Sequence, residues 1–103
     1  MRTPIVAAVL TAIALTAIPV AAEASRIENA CVRSDRAAAT RARCACVQRV
    51  ANQHLTRADQ RQASRFFRDP DRAHQVRFSR DERDRAFWQR YRAFADAAET
   101  LCR

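Results

Sequence analysis

The sequence predicts an all-α fold: a small disulfide-stapled bundle of four or five helices after an N-terminal signal peptide. Three observations predict it. None of the 103 residues is Gly, so a barrel or sandwich would lack its usual turn chemistry. Ala and Arg dominate the chain, and both are good helix formers. Phe87, Tyr91, Phe94, Ala98 and Leu101 recur at i, i+4, i+7, i+11 and i+14, the spacing of one helix face.

The first element is the leader. Residues 1–22 read as a secretory signal peptide. Arg2 supplies a positive start, and Ile5–Ile18 is apolar except for Thr11 and Thr16. Pro19 interrupts that run just before Val20-Ala21-Ala22, whose small residues suit a signal peptidase. Residues 23–103 are then the exported chain, a single helical domain starting at Glu23. An uncleaved anchor is the competing reading, but the apolar stretch is near the lower limit for a spanning helix. No run after residue 22 is long enough to cross a membrane as a helix. The expected location is periplasmic or secreted.

The staples come next. Beyond residue 22 only 14 apolar residues are larger than Ala or Cys, a thin core for a domain of this size. All four cysteines (Cys31, Cys44, Cys46 and Cys102) lie in that part. An even count in an oxidising compartment implies two disulfides. Cys44 and Cys46 differ by about 200° around a helix axis, so they face different neighbours and do not bond each other. Two pairings remain open: 31–44 with 46–102, or 31–46 with 44–102.

The helices follow in chain order. Ser25 is placed to cap a short helix through about Ser34, with Ile27, Cys31 and Val32 inward. Asp35–Thr40 either continues or breaks it. A second helix runs from about Thr40 to His54, with Val47, Val50, Ala51, His54 and Leu55 as its stripe. Thr56 and Asp59 resemble a capping box that opens a third helix through about Arg68, burying Ala63, Phe66 and Phe67. Asp69-Pro70 reads as N-cap and first helical residue of a fourth helix, ending near Phe78. Ser79 with Glu82 forms a second box and opens the longest helix, about Arg80 to Leu101. Gln89, Arg92, Asp96 and Glu99 make its outer face. With no Gly for a left-handed helix end, Asn52 or another polar residue is expected to serve.

Chemistry-bearing residues are few. The absence of Gly excludes P-loops and dinucleotide fingerprints. Cys44-Ala45-Cys46 lacks the spacing and βαβ context of a redox pair, and structural disulfides account for it better than a metal. His54 and His74 stand 20 residues apart with no recognisable nucleophile to activate. No catalytic residue, metal ligand or cofactor is expected, and the chain is read as a non-enzyme. Acidic pairs at helix starts, Asp69 with Asp71 and Asp81 with Glu82, answer the helix dipole.

The charge balance is the strongest functional signal. All 19 basic residues are Arg, against 11 acids, giving a formal net charge of +8. From Arg36 through Arg57 there is no acid. Arg41 and Arg49, on the outward face of the second helix, are the candidate anion-binding residues, because guanidinium binds carboxylates and phosphates bidentately. The competing reading is a compositional preference for Arg over Lys, with interleaved acids forming pairs such as Asp81–Arg85. Basic chains most often meet nucleic acid, but an exported protein seldom does. An acidic protein or an anionic envelope component is the expected partner.

Cys31, Arg43-Cys44-Ala45-Cys46-Val47, Phe66-Phe67-Arg68-Asp69-Pro70, Phe87-Trp88-Gln89-Arg90-Tyr91 and Cys102 together resemble a set of small Arg-rich, four-Cys exported bacterial proteins of unknown function. Some of these carry the automatic name "arginine transporter". The resemblance implies a link to arginine uptake and brings no binding residues with it. A looser similarity, in size and compartment, is to periplasmic acid-stress chaperones. The function expected from the residues is that of an exported, non-catalytic helical binding protein with a basic surface. A periplasmic chaperone or an accessory of arginine transport is the alternative.

Overall fold

The computed structural model describes residues 2–4, 7–9, 11–14 and 24–103. The expected break at Pro19 and the cleavage site before Glu23 lie outside them. Among the described residues five helices follow one another: α1 (Arg26–Arg33), α2 (Arg41–His54), α3 (Arg57–Phe66), α4 (Pro70–Arg77) and α5 (Glu82–Leu101). Among the described residues there is no strand, and no helix is long and apolar enough to cross a membrane.

In α1, Ile27 and Cys31 lie one turn apart and are buried, whereas Val32 turns outward, 40% exposed. Ser25 holds the N-cap position, but its side chain makes no capping bond. The chain then leaves the helix: Ser34 is extended, and its Oγ donates to the Cys31 carbonyl at 2.6 Å. Asp35–Thr40 therefore separates two helices. Helix α2 starts where Thr40 Oγ1 accepts from the Arg43 N–H at 3.2 Å. Thr40→Ala should cost about 1 kcal/mol, as loss of a helix cap does. A thermal melt checks this, and an unchanged midpoint would show that the cap carries no weight.

Val50, Ala51 and Leu55 are the buried stripe at the C-terminal end of α2, while Val47 is half-buried and His54 is exposed. The two cysteines at its start face opposite ways, as their angular separation requires. Cys44 bonds Cys31 on α1 and Cys46 bonds Cys102 just past α5, each with Cα atoms 5.6 Å apart. Of the two pairings left open by the sequence, 31–44 with 46–102 is the one formed.

The Thr56–Asp59 box opens α3 with both halves made. Thr56 Oγ1 accepts from the Asp59 N–H at 3.1 Å, and Asp59 Oδ2 accepts from the Thr56 N–H at 3.2 Å. The helix stops at Phe66, short of Arg68, because Pro70 disfavours helical geometry at the preceding residue; Asp69 sits at φ −137°, ψ 82°. Pro70 is the first residue of α4, again without a side-chain cap from Asp69.

Helix α5 begins later than expected. Asp81, not Ser79, is the cap: its Oδ1 accepts from the Arg83 N–H at 2.7 Å, while Ser79 Oγ accepts from the Asp81 N–H at 3.1 Å. A carboxylate at the positive helix end is the better acceptor. Asp81 thus acts as a cap, in place of the expected pairing with Arg85. At the far end Leu101 leaves the stripe and is 64% exposed, while Cys102 is buried.

Helix α1 packs on both α2 and α3, α2 packs on α5, and α4 bridges α3 and α5. Phe66 is central to the aromatic core. It meets Phe87 edge-on at 5.9 Å and Tyr91 edge-on at 5.3 Å, and Tyr91 also lies 5.9 Å from Phe94. Such pairs add to simple area burial. Among the described residues none has a positive φ. Asn52 is not a left-handed helix end; it lies inside α2. The helices stop instead in extended residues, Ser34 and Leu55, or in right-handed ones such as Phe67.

Candidate functional site

Both candidate anion-binding residues are on the surface. Arg41 is the first residue of α2 and lines a shallow depression of about 230 Å³ with Glu28, Asn29, Val32 and Arg33. Arg49 is exposed further along the same helix. Eight residues separate the two, which corresponds to about 12 Å of rise and about 80° of rotation. They are set to meet two anionic groups of one extended partner rather than to chelate a single anion.

Other arginines of this region are held in place. Arg43 Nη1 donates to the Ala38 carbonyl at 3.0 Å, which fixes the loop before α2. The Arg36 guanidinium lies 5.8 Å from the centre of the Phe67 ring, within cation–π range. Burial raises the Tyr91 hydroxyl above its ordinary value, and nearby Arg36 opposes that rise.

The decisive electrostatic feature is one that sequence reasoning missed. Asp59 is 5% exposed and receives a bidentate ion pair from α5: Arg90 Nε donates to Oδ2 at 2.8 Å and Arg90 Nη2 to Oδ1 at 2.9 Å. Those bonds hold the Asp59 carboxyl below the usual carboxylate range, against burial, which pushes it up; the capping bonds with Thr56 also lower it. The same pair raises Arg90. In sequence Asp59 signals only its capping role, since Arg90 is 31 residues away.

A second unforeseen feature supports the α2–α3 corner. Gln48 and Gln60 are buried and joined by a 2.8 Å bond from Gln48 Nε2 to Gln60 Oε1. Gln48 Nε2 also donates to Asn52 Oδ1 at 2.9 Å, and Gln48 Oε1 accepts from the Glu28 N–H at 3.0 Å. Buried amides satisfied in this way fix register. Gln48 interrupts an apolar stripe, which is the one trace of this network in the sequence.

All four cysteines are in disulfides. His54 and His74 are both exposed, and the His74 ring lies against Phe78 at 4.7 Å. Among the described residues no group of three or more His, Cys, Asp or Glu converges as a metal site would. Compared with known proteins, the chain matches no family model, no curated protein and no solved structure.

Proposed function

We propose that this chain is an exported, non-catalytic binding protein, periplasmic or secreted, that holds an acidic protein or an anionic envelope component on an arginine-rich surface. One observation carries the reading. Eight arginines lie from Arg36 to Arg68 with a single acid among them, Asp59, and that acid is turned inward and held by Arg90. Helices α2 and α3 therefore expose arginines and no carboxylate of their own sequence. Two disulfides fit an oxidising compartment. The depression beside Arg41 weighs against a cationic ligand such as arginine, because Arg33 and Arg41 outnumber Glu28 in its lining.

The test uses the mature protein with three probes: poly-L-glutamate, phosphatidylglycerol vesicles and cell-wall sacculi. Binding to at least one should be present at about 0.05 M salt and weaken at about 0.15 M, as screening requires. R41Q/R49Q should weaken it more than R83Q/R92Q while shifting stability by no more than about 0.5 kcal/mol. Arg90 is unsuited to a control because it holds Asp59. Failure to bind any of the three probes would refute the reading.

A further inference from the structure

We infer that the depression between α1 and the start of α2 is a binding site for a free acidic amino acid such as glutamate. The inference goes beyond the anion-binding reading above and shares only Arg41 with it. The depression has a volume of about 230 Å³ and is lined by Glu28, Asn29, Val32, Arg33 and Arg41. The four α1 residues fall at i, i+1, i+4 and i+5, one contiguous strip of a helix surface. Arg41 completes the wall from the first turn of α2. The two helices are stapled under this site. Cys31, next to Val32, is bonded to Cys44, three residues past Arg41. The Glu28 N–H donates to Gln48 Oε1 on α2 at 3.0 Å. The backbone beneath the lining is thus fixed before any ligand arrives, which lowers the ordering cost of binding.

The lining selects the ligand. Among the described residues no hydrogen bond or ion pair engages the side chain of Glu28, Asn29, Arg33 or Arg41. Two guanidinium groups and one carboxylate leave the depression with an excess of positive charge. An acidic amino acid carries the complement, two carboxylates and one ammonium. Each carboxylate takes a guanidinium fork, and the ammonium takes Glu28. The methylene groups between them lie along Val32, which is 40% exposed. The Asn29 amide offers a donor and an acceptor to either end. A simple dicarboxylate would set a like charge against Glu28, which costs affinity. The volume is below the roughly 300–1,000 Å³ of pockets for drug-sized ligands, which suits one small molecule.

The experiment titrates the oxidised, isotope-labelled protein with L-glutamate, glutarate, L-glutamine and phosphoethanolamine at about 0.05 M salt, where screening is weak, and follows amide chemical shifts. L-Glutamate should bind most tightly and shift the amides of residues 28–33 and 41. Glutarate lacks the ammonium and L-glutamine lacks one carboxylate; each should bind about fivefold more weakly, the loss of one charge contact at a partly exposed site. R33Q/R41Q should lose about tenfold or more in affinity for L-glutamate, whereas R83Q/R92Q should lose less than about twofold. E28Q should reverse the order of the two dicarboxylates, so that glutarate binds better than L-glutamate; a variant that only damaged the fold would weaken both. Equal affinity of wild type for L-glutamate and glutarate, failure of E28Q to reverse their order, or shifts centred away from the depression would overturn the inference. So would tighter binding of phosphoethanolamine, which would mark a phosphate site. Binding of poly-L-glutamate with no response to free L-glutamate also overturns it and leaves the anion-binding reading standing. The expected response to L-glutamate, with no binding of poly-L-glutamate, vesicles or sacculi, supports it and removes that reading.

Discussion

Replacing Cys46 and Cys102 together by Ala is expected to lower stability by about 4 kcal/mol in the chain-entropy account, because the bridge closes a long loop. The two cysteines are 56 residues apart. The same replacement at Cys31 and Cys44, 13 residues apart, should cost about 3 kcal/mol. Total stabilities are only about 5–15 kcal/mol, and this domain is small with few large apolar residues, so either loss is a large share. Removing both partners avoids a free thiol and isolates the cross-link. Urea unfolding of the oxidised protein and the two double variants gives the ranking. A loss below about 1 kcal/mol for the longer loop would show that the core alone holds α2 to α5.

The second large effect is expected at Asp59. Asp59→Ala removes half of a capping box and leaves Arg90 without its partner. A lost cap costs about 1 kcal/mol and hydrogen bonds to charged groups about 1.5–3 kcal/mol. The Arg90 side chain is 43% exposed, so water offsets part of its loss. A total of about 2 kcal/mol follows. The acid dependence has a definite sign. The Asp59 carboxyl is lowered in the fold, so its contribution is present above the unfolded value of about 4 and disappears as pH falls through the lowered folded value. Wild type should therefore lose stability on acidification from pH 5 to about pH 2 by more than Asp59→Asn does. Denaturation midpoints of both proteins at the two pH values decide the point; parallel losses would mean that Asp59 is not the acid-sensitive group.

The helices were legible because each announces itself locally. The Thr56–Asp59 box and Pro70 mark their helix starts through residues three or fewer apart, and Phe87, Tyr91 and Phe94 mark a face by spacing alone. Disulfide formation was legible from the cysteine count, and the opposed directions of Cys44 and Cys46 from their separation. Their partners were not, because that choice depends on which flank of α2 faces α1, a matter of tertiary packing. Ser79 and Asp81 both offered plausible caps, and two residues of sequence do not say which oxygen reaches the free N–H groups. The Asp59–Arg90 pair and the Gln48–Gln60 bond escaped for a related reason. Each joins side chains from different helices, and nothing in the spacing of 31 or 12 residues encodes their meeting. The surface arginines were legible as a charge excess, but the inward turn of the one intervening acid needed the fold.

The disulfide pairing also fixes the covalent topology of the molecule. Cys31–Cys44 closes one ring and Cys46–Cys102 closes another, and the rings do not overlap. They are joined only through Ala45, the single residue between Cys44 and Cys46. A protease that cuts one peptide bond inside either ring opens it without releasing a fragment. The only severing cuts between Cys31 and Cys102 are the two bonds flanking Ala45, and both lie within α2, where helical hydrogen bonding keeps the backbone out of the extended form that proteases accept. The exposed Asp35–Thr40 loop can thus be nicked while the oxidised protein stays in one piece.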